Sequence, residues 1–445
     1  MKRVLIISYY WPPSGGSGVQ RWVKFSKYFP NESWQPVIYT PDNPELIARD
    51  EKLGEEIPKE VEVIKKRIIE PYNLYRKLFR KGKKGENKAE VNPINQQNKS
   101  FLQKVSMFIR GNFFIPDPRF LWIKPSVKYL KSYLKDHPVD IIISTGPPHS
   151  MHLIAMKLAK ATGLPWIADF RDPWTKLFYF KHLNLSCWAE KKHKSLELSV
   201  LNSATRVVAV SPLVQEEFQK MTKTPVELIT NGYDEDDFED DNGGAENDND
   251  APKIDIEAAS SFNITHTGLF ASDGNPYLLW EVLAEKCSED EEFKRMLRIR
   301  LVGKTDSEII AAIEENGLDE NLVDRGYQPH IEAVKEQKGA SLLLLPLRKE
   351  PEYKAVLPGK LFEYLAAKKP ILGIGQSDGA MARILEETES GVVYDWSNKI
   401  KIKSYIDNAW TLFKDGKFEI NPNGLEKYSR RNTTKQMVEL MNKII

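Results

Sequence analysis

Lys360 and Glu363 lie one helical turn apart in the stretch 358–375, PGKLFEYLAAKKPILGIG. Pro358-Gly359 opens a pattern in which Leu361, Tyr364 and Leu365 share one face. The pattern stops at Lys368-Lys369-Pro370, and the β-rich run 371–374 follows. Unbonded N–H groups and the helix dipole favour a phosphate at such a helix start. A carboxylate a turn further in, at Glu363, suits the two hydroxyls of a ribose. The bland alternative is a surface helix with a Lys–Glu pair contributing about 0.3 kcal/mol.

Other residues with chemistry to offer fall at the carboxyl ends of predicted strands, where open α/β sheets bind ligands. Residues 12–18, PPSGGSG, form a glycine-rich turn after the first strand, in which Gly15 and Gly16 permit close backbone approach to a ligand; a purely structural turn is the alternative. Residues 144–150 read STGPPHS and 169–174 read DFRDPW. The Asp-x-Arg-Asp cluster (Asp169, Arg171 and Asp172) offers a guanidinium and carboxylates to sugar hydroxyls, Arg171 and Asp172 foremost, or else an ion pair that holds a loop. His149 is either a ligand contact or a helix-start residue, and His152 is expected to be structural. In the second half, the runs HTG (266–268), LVGK (301–304) and GYQPH (326–330) end successive strands. Gly268 and Gly303 allow backbone approach, Lys304 suits a phosphate, and the 325–328 backbone, Tyr327 included, suits the edge of a base.

The elements that must carry these residues alternate in βαβ rhythm. Strands are predicted at 4–8, 36–39, 140–144, 166–169, 206–210 and 226–229, with helices at 18–29, 150–161, 187–201 and 212–221. A second series runs from 262–267 through 298–302, 322–325, 341–345 and 371–374. The expectation is two Rossmann-like domains: 1–230, then an acidic linker or insertion at 231–257, then 258–425. An amphipathic helix at about 426–445 is expected to pack back on the first domain. Between residues 65 and 135, 18 Lys/Arg face 4 Asp/Glu and are interleaved with aromatics. This basic aromatic insertion reads either as an attachment to an anionic membrane surface or as a solvated excursion. No nucleic-acid module surrounds it. Between 234 and 255, 11 acids face a single lysine, Lys253, which predicts a flexible segment.

At 445 residues the chain exceeds one comfortable core. Two cysteines, Cys187 and Cys287, argue against a disulfide scaffold or a cysteine metal site, and fit a reducing compartment. The first residues, MKRVLIISYYWPP, read as a buried strand in place of a signal peptide, and no apolar run approaches membrane-spanning length. The expectation is a cytoplasmic protein, soluble or peripheral on the inner membrane face.

Taken together, the GGSGVQR loop, STGPPHS, DFRDPW, ITNGYDEDDF, LVGK, GYQPH and the 358–375 run resemble the retaining GT-B-fold glycosyltransferases of the family 4 type (glycosyl transferases group 1). The resemblance implies two Rossmann-like domains facing a central cleft. A nucleotide-sugar would bind in the C-terminal half and a glycan or lipid-linked acceptor in the N-terminal half, with no cofactor and no metal. It implies that Glu363 holds the ribose and that Gly359, Lys360 and Leu361 form the helix start beside the diphosphate. Gly15 and Gly16 would approach the donor phosphate, and Gly268 and Tyr327 would border the donor. Arg171 and Asp172 stand where many relatives place a sugar-contacting histidine. Ala355 stands where relatives carry a first glutamate, so Glu350 or Glu352 is the candidate substitute. The loop 269–275 lacks the usual basic pair, which leaves Lys304 and Lys360 as the implied catalytic cations. A nucleotide-sugar 2-epimerase and a non-catalytic nucleotide- or glycan-binding scaffold share the fold and remain alternatives.

Overall fold

The computed structural model describes residues 1–44, 50, 52–70, 108–109, 111–177, 180–238 and 261–445. Two compact units result: Met1–Thr230 with Thr434–Ile445, and Asn231–Thr433.

The first unit holds a seven-stranded, all-parallel sheet in the order β3-β2-β1-β4-β5-β6-β7. Its strands are β1 (Lys2–Ile7), β2 (Trp34–Pro41), β3 (Glu62–Lys66), β4 (Ile141–Gly146), β5 (Trp166–Phe170), β6 (Arg206–Ala209) and β7 (Val226–Leu228). Parallel strands are covered by helices on both faces, so their sequences run nearly continuously apolar. β4 is buried at all six positions and lies in register with β1, Val4 opposite Ile141. Connections spread outward from β1 in one direction, then resume at β4 on its other side. That reversal opens a crevice between the β1 and β4 carboxyl ends. The C-terminal helix Arg430–Ile444 supplies Met437, Val438, Leu440 and Met441 to this unit's core, beside Val19, Trp22 and Ile38.

The second unit repeats the plan with six parallel strands in the order β10-β9-β8-β11-β12-β13. They are β8 (Phe262–Thr267), β9 (Leu297–Val302), β10 (Leu322–Gly326), β11 (Leu342–Pro346), β12 (Ile371–Ile374) and β13 (Gly391–Tyr394). Its reversal lies between β8 and β11. The helix Gly359–Ala366 connects β11 to β12 and buries Leu361, Phe362, Tyr364 and Leu365.

Two segments differ from expectation at their edges. The basic stretch 65–135 is not one excursion: Lys65 and Lys66 belong to β3, and helix Ile123–Asp136 buries Ile123, Ser126 and Leu130. The pattern EVIKK is too short and basic to announce a strand, yet backbone pairing with β2 needs no side-chain signature. Tyr72, Tyr75, Leu78, Phe79 and Phe101 lie outside the described residues, as do 239–257 of the acidic segment. Its start packs within the second unit. Tyr233 bridges to Ser429, Asp234 caps the turn Glu235–Asp237, and Arg431 bonds Asp236 at 2.6 Å. Among the described residues no helix is long and apolar enough to cross a membrane.

Candidate active site

The β8/β11 reversal of the second unit gathers most of the candidate donor residues. Three glycines at the ends of adjacent strands form its rim. Gly268, Gly303 and Gly326 take φ values of 88, 133 and 57°, which disfavour any residue with a Cβ. Gly268 N–H donates to Val302 O at 2.6 Å and Gly303 N–H to Gly326 O at 2.7 Å. The three strand ends are thereby stitched together. A Cβ on Gly303 would lie 2.3 Å from Gly268 O, so the contact requires glycine.

Lys360 reaches this rim from the first turn of the Gly359–Ala366 helix. Its Nζ lies 3.2 Å from His266 Nε2 and 3.3 Å from Leu269 O. His266 is buried, and its Nδ1 lies 3.0 Å from Leu344 O. Both ring nitrogens face a carbonyl, Nδ1 more closely than Nε2, which lies 3.4 Å from Leu269 O. Because the ammonium at Nε2 can only donate, the imidazole proton is assigned to Nδ1 and the Nε2 lone pair to the ammonium. Burial pushes the Lys360 ammonium down to about 8, opposed by the nearby Glu363 carboxylate. Burial, then the Lys360 charge, holds His266 well below the usual histidine range and hence neutral.

Glu363 sits one turn on and is partly buried. Its Oε2 accepts from Gln337 Nε2 at 3.0 Å, and the same amide donates to Thr267 Oγ1 at 3.1 Å. Thr267 N–H in turn donates to Tyr364 Oη at 2.8 Å. One carboxylate oxygen is thus fixed, and Oε1 has no partner among the described residues. Beside Lys360 opens a pocket of about 130 Å³, walled by Phe270, Leu347, Tyr353 and Val356 and carrying Arg348. Arg348 Nη1 pairs with Asp273 Oδ2 at 3.1 Å and lies over the Tyr353 ring. Burial raises the Asp273 carboxyl, against the pull of Arg348. A guanidinium from the β11 loop thus enters the β8 loop, which has no basic residue of its own.

Several expectations need correction here. Leu361 offers no ligand group: its side chain is fully buried and its N–H bonds Pro358 O at 3.0 Å. Of the helix-start trio, the Gly359 and Lys360 amides are the ones left for an anion. Lys304 stands exposed after β9, its carbonyl bonded by Phe270 N–H at 2.9 Å, and it is outside the lining of the Arg348 pocket. Tyr327 is 85% exposed. The neighbouring Arg325 and Gly326 carbonyls are already engaged by Gln328 and Gly303, which narrows the base-edge role of that loop. Ala355 ends a turn, Pro351–Ala355, and Glu350 before it has a buried Oε2 without a partner among the described residues.

In the first unit the β1 and β4 loops meet at the corresponding reversal. Gly16 (φ 97°) precedes the helix Ser17–Tyr28, with Gly15 beside it. Arg171, expected to touch sugar, is a brace: Nη1 donates to Gly18 O and Nη2 to Pro147 O. A Cβ on Gly18 would lie 2.6 Å from Nη1, which explains that glycine. Asp172 is partly buried, and burial pushes its carboxyl up to about 6 despite Arg171. His149 is buried and stacks flat on Trp174, centroids 4.5 Å apart. Neither of its ring nitrogens has a partner among the described residues, and burial together with His152 and His193 keeps it neutral. His152 is structural: its Nδ1 meets Ser144 Oγ at 2.8 Å, and Trp166 Nε1 donates to the same hydroxyl.

The first residue of DFRDPW, Asp169, is a buried anchor and not a carboxylate within reach of a sugar. It is fully buried and accepts from Arg21 Nη2 (2.9 Å), Trp22 Nε1 (2.9 Å) and Thr145 Oγ1 (2.9 Å). Arg21 also donates to the Ile229 and Thr230 carbonyls.

Residues 98–237 match the profile of Glycosyltransferase Family 4. Solved structures align over nearly the whole chain. A glycosyltransferase from Rickettsia africae ESF-5 aligns with a TM-score of 0.61 at 15% identity, covering 100% of this chain and 98% of that one. The lipopolysaccharide outer core galactosyltransferase WaaB, in its apo form, gives 0.57 at 13% identity, with 100% of both chains covered. TarM of S. aureus, in complex with fondaparinux, α-GlcNAc-glycerol and UDP, gives 0.56 at 12% identity, covering 99% of this chain and 100% of that one. The fold is GT-B, and residues 98–237 are similar to Glycosyltransferase Family 4. No curated protein matches the sequence. In this GT-B chain the matched segment 98–237 carries the STGPPHS and DFRDPW loops, whereas the Lys360–Glu363 helix lies in the other unit.

Proposed function

We propose that the protein is a glycosyltransferase that moves a sugar from a nucleoside-diphosphate sugar to a hydroxyl acceptor with retention, in cell-surface polysaccharide or glycolipid synthesis. The observation that carries this is the convergence, at the β8/β11 reversal, of a glycine rim, a partly buried ammonium and a half-committed carboxylate. In this proposal Glu363 Oε1 takes the ribose diol, its partner oxygen held by Gln337. Lys360, the Gly359 and Lys360 amides and Arg348 face the diphosphate. As the sugar–phosphate bond breaks, negative charge grows on the leaving group, and preorganised donors there are the main lever, roughly 3 kcal/mol for one donor. The leaving phosphate takes the acceptor's proton, so no side-chain base is required. No metal or cofactor enters the scheme.

The acceptor side is assigned to the first unit, where neutral His149 and Asp172 flank the braced β1 and β4 loops. A lipid-linked acceptor, at the inner face of a membrane, is supported by exposed apolar residues in a basic setting. Phe113 is 66% and Trp188 64% exposed, and Ser186 N–H bonds Asn112 Oδ1 at 2.7 Å, which ties the two segments together. Lys181, Lys191 and Lys192 are exposed nearby in sequence.

The test is a thermal-shift screen of nucleotide-sugars, followed by product analysis with the best stabiliser. The expected outcome is free nucleoside diphosphate together with a transferred or hydrolysed sugar, lost in Lys360→Ala, with donor binding weakened in Glu363→Ala. An epimerised nucleotide-sugar in its place would identify a 2-epimerase. Stabilisation without turnover across an acceptor panel would identify a binding scaffold. Wild-type behaviour of both variants would refute the assignment of the site.

A further inference from the structure

We infer that His266 is a positioning residue: its Nε2 lone pair, with the Leu269 carbonyl, seats the Lys360 ammonium at the end of β8 and leaves its third N–H for an anionic oxygen in the pocket. The consequence for turnover rests on the function proposed above. The seating itself does not.

An ammonium has three donors and no acceptor. Two point at lone pairs in this structure, His266 Nε2 at 3.2 Å and Leu269 O at 3.3 Å. Those two acceptors are 3.4 Å apart. With the imidazole proton committed to Leu344 O, they would oppose one another lone pair to lone pair, and the ammonium between them turns that repulsion into two hydrogen bonds. The imidazole cannot swing away, because it is buried and packs against Phe270 with centroids 4.3 Å apart. Gly268 completes the seat: a Cβ there would come within 3.2 Å of Nζ. Lysine carries about 2 kcal/mol of rotamer entropy, and a long side chain without such a seat would spend little time aimed at a phosphate. On the same helix Glu363 is the charged neighbour and Tyr364 the nearest hydroxyl. Across the pocket, Arg348 and Asp273 form their own pair.

His266→Asn and His266→Gln separate this role from packing. The glutamine carbonyl can occupy the place of Nε2 and restore the acceptor, whereas asparagine reaches only the Nδ1 position. The direct readout needs no ligand: peptide-resolved acetylation of Lys360 by acetic anhydride, followed by mass spectrometry across pH 6–10. Losing an acceptor for the charged form should make Lys360 label about three-fold faster at pH 7.5 in His266→Asn, with His266→Gln near wild type. With a stabilising nucleotide-sugar, His266→Asn should also lower kcat about ten-fold while leaving donor KM within two-fold. Identical Lys360 labelling in wild type and a folded His266→Asn would overturn the inference. If labelling shifts as expected but Lys360→Ala keeps full activity, the seat stands and the proposed function is what fails.

Discussion

On the proposed function, the low-lying Lys360 ammonium should make donor binding and protein stability respond to pH in opposite directions. Burial brings its pKa from 10.5 to about 8. In the free folded protein about nine-tenths of Lys360 is charged at pH 7 and about one-tenth at pH 9. If a diphosphate engages only the ammonium form, Kd should rise about ten-fold over that interval, roughly 1.4 kcal/mol. The pyrophosphate of a nucleotide-sugar keeps its charge throughout, so the change belongs to the protein. Stability has the other sign. A lysine whose folded pKa lies below its unfolded value binds fewer protons when folded, so its contribution to stability rises with pH between about 8 and 10.5. Isothermal titration calorimetry at pH 7 and 9 on wild type and Lys360→Met, with thermal unfolding of the free proteins alongside, measures both slopes. The variant should bind weakly and with little pH dependence, and any titration of the base itself cancels in the comparison. Parallel pH slopes in wild type and Lys360→Met would refute the assignment of this ammonium to the diphosphate.

Asp169→Asn should destabilise the first unit by about 3–5 kcal/mol, because it leaves Arg21 buried without its counter-charge; a lowered unfolding midpoint checks this. Gly303→Ala should weaken donor binding as well as stability, since a Cβ 2.3 Å from Gly268 O must displace the rim that carries Lys360's seat. An unchanged donor Kd would separate rim from site. Co-sedimentation with anionic vesicles should exceed that with neutral ones, and Trp188→Ser combined with Phe113→Ser should reduce it; equal binding to both vesicle types would count against membrane attachment.

Much of the architecture was legible because parallel strands buried on both faces write themselves as apolar runs: VLII within β1, ILGI in β12 and LLLL in β11 are of that kind. β3 was not, since an edge strand needs only backbone pairing and EVIKK carries no such run. At the site, Lys360 and Glu363 were readable from one short motif because a single helical turn places them. His266, Gln337 and Arg348 were not, because their roles arise from strands distant in sequence meeting at the β8/β11 reversal. His266 was visible only as the first residue of the HTG run at a predicted strand end, with nothing to show its partners. Arg171 misled for a related reason: sequence shows a guanidinium near a loop but not the two carbonyls that occupy it. Asp169, two residues earlier, looked like part of the same polar cluster, yet it points into the core and meets Arg21.

The return of residues 434–445 to the first unit bears on how the chain acquires its structure during synthesis. Met437, Val438, Leu440 and Met441 complete a core whose other walls leave the ribosome some 200 residues earlier. The amino-terminal sheet therefore waits, with an apolar trough uncovered, until residues 434–445 have been made. A nascent chain, or one cut before residue 434, would present that trough to chaperones, so the loss of a single late helix would injure the half of the sequence farthest from it.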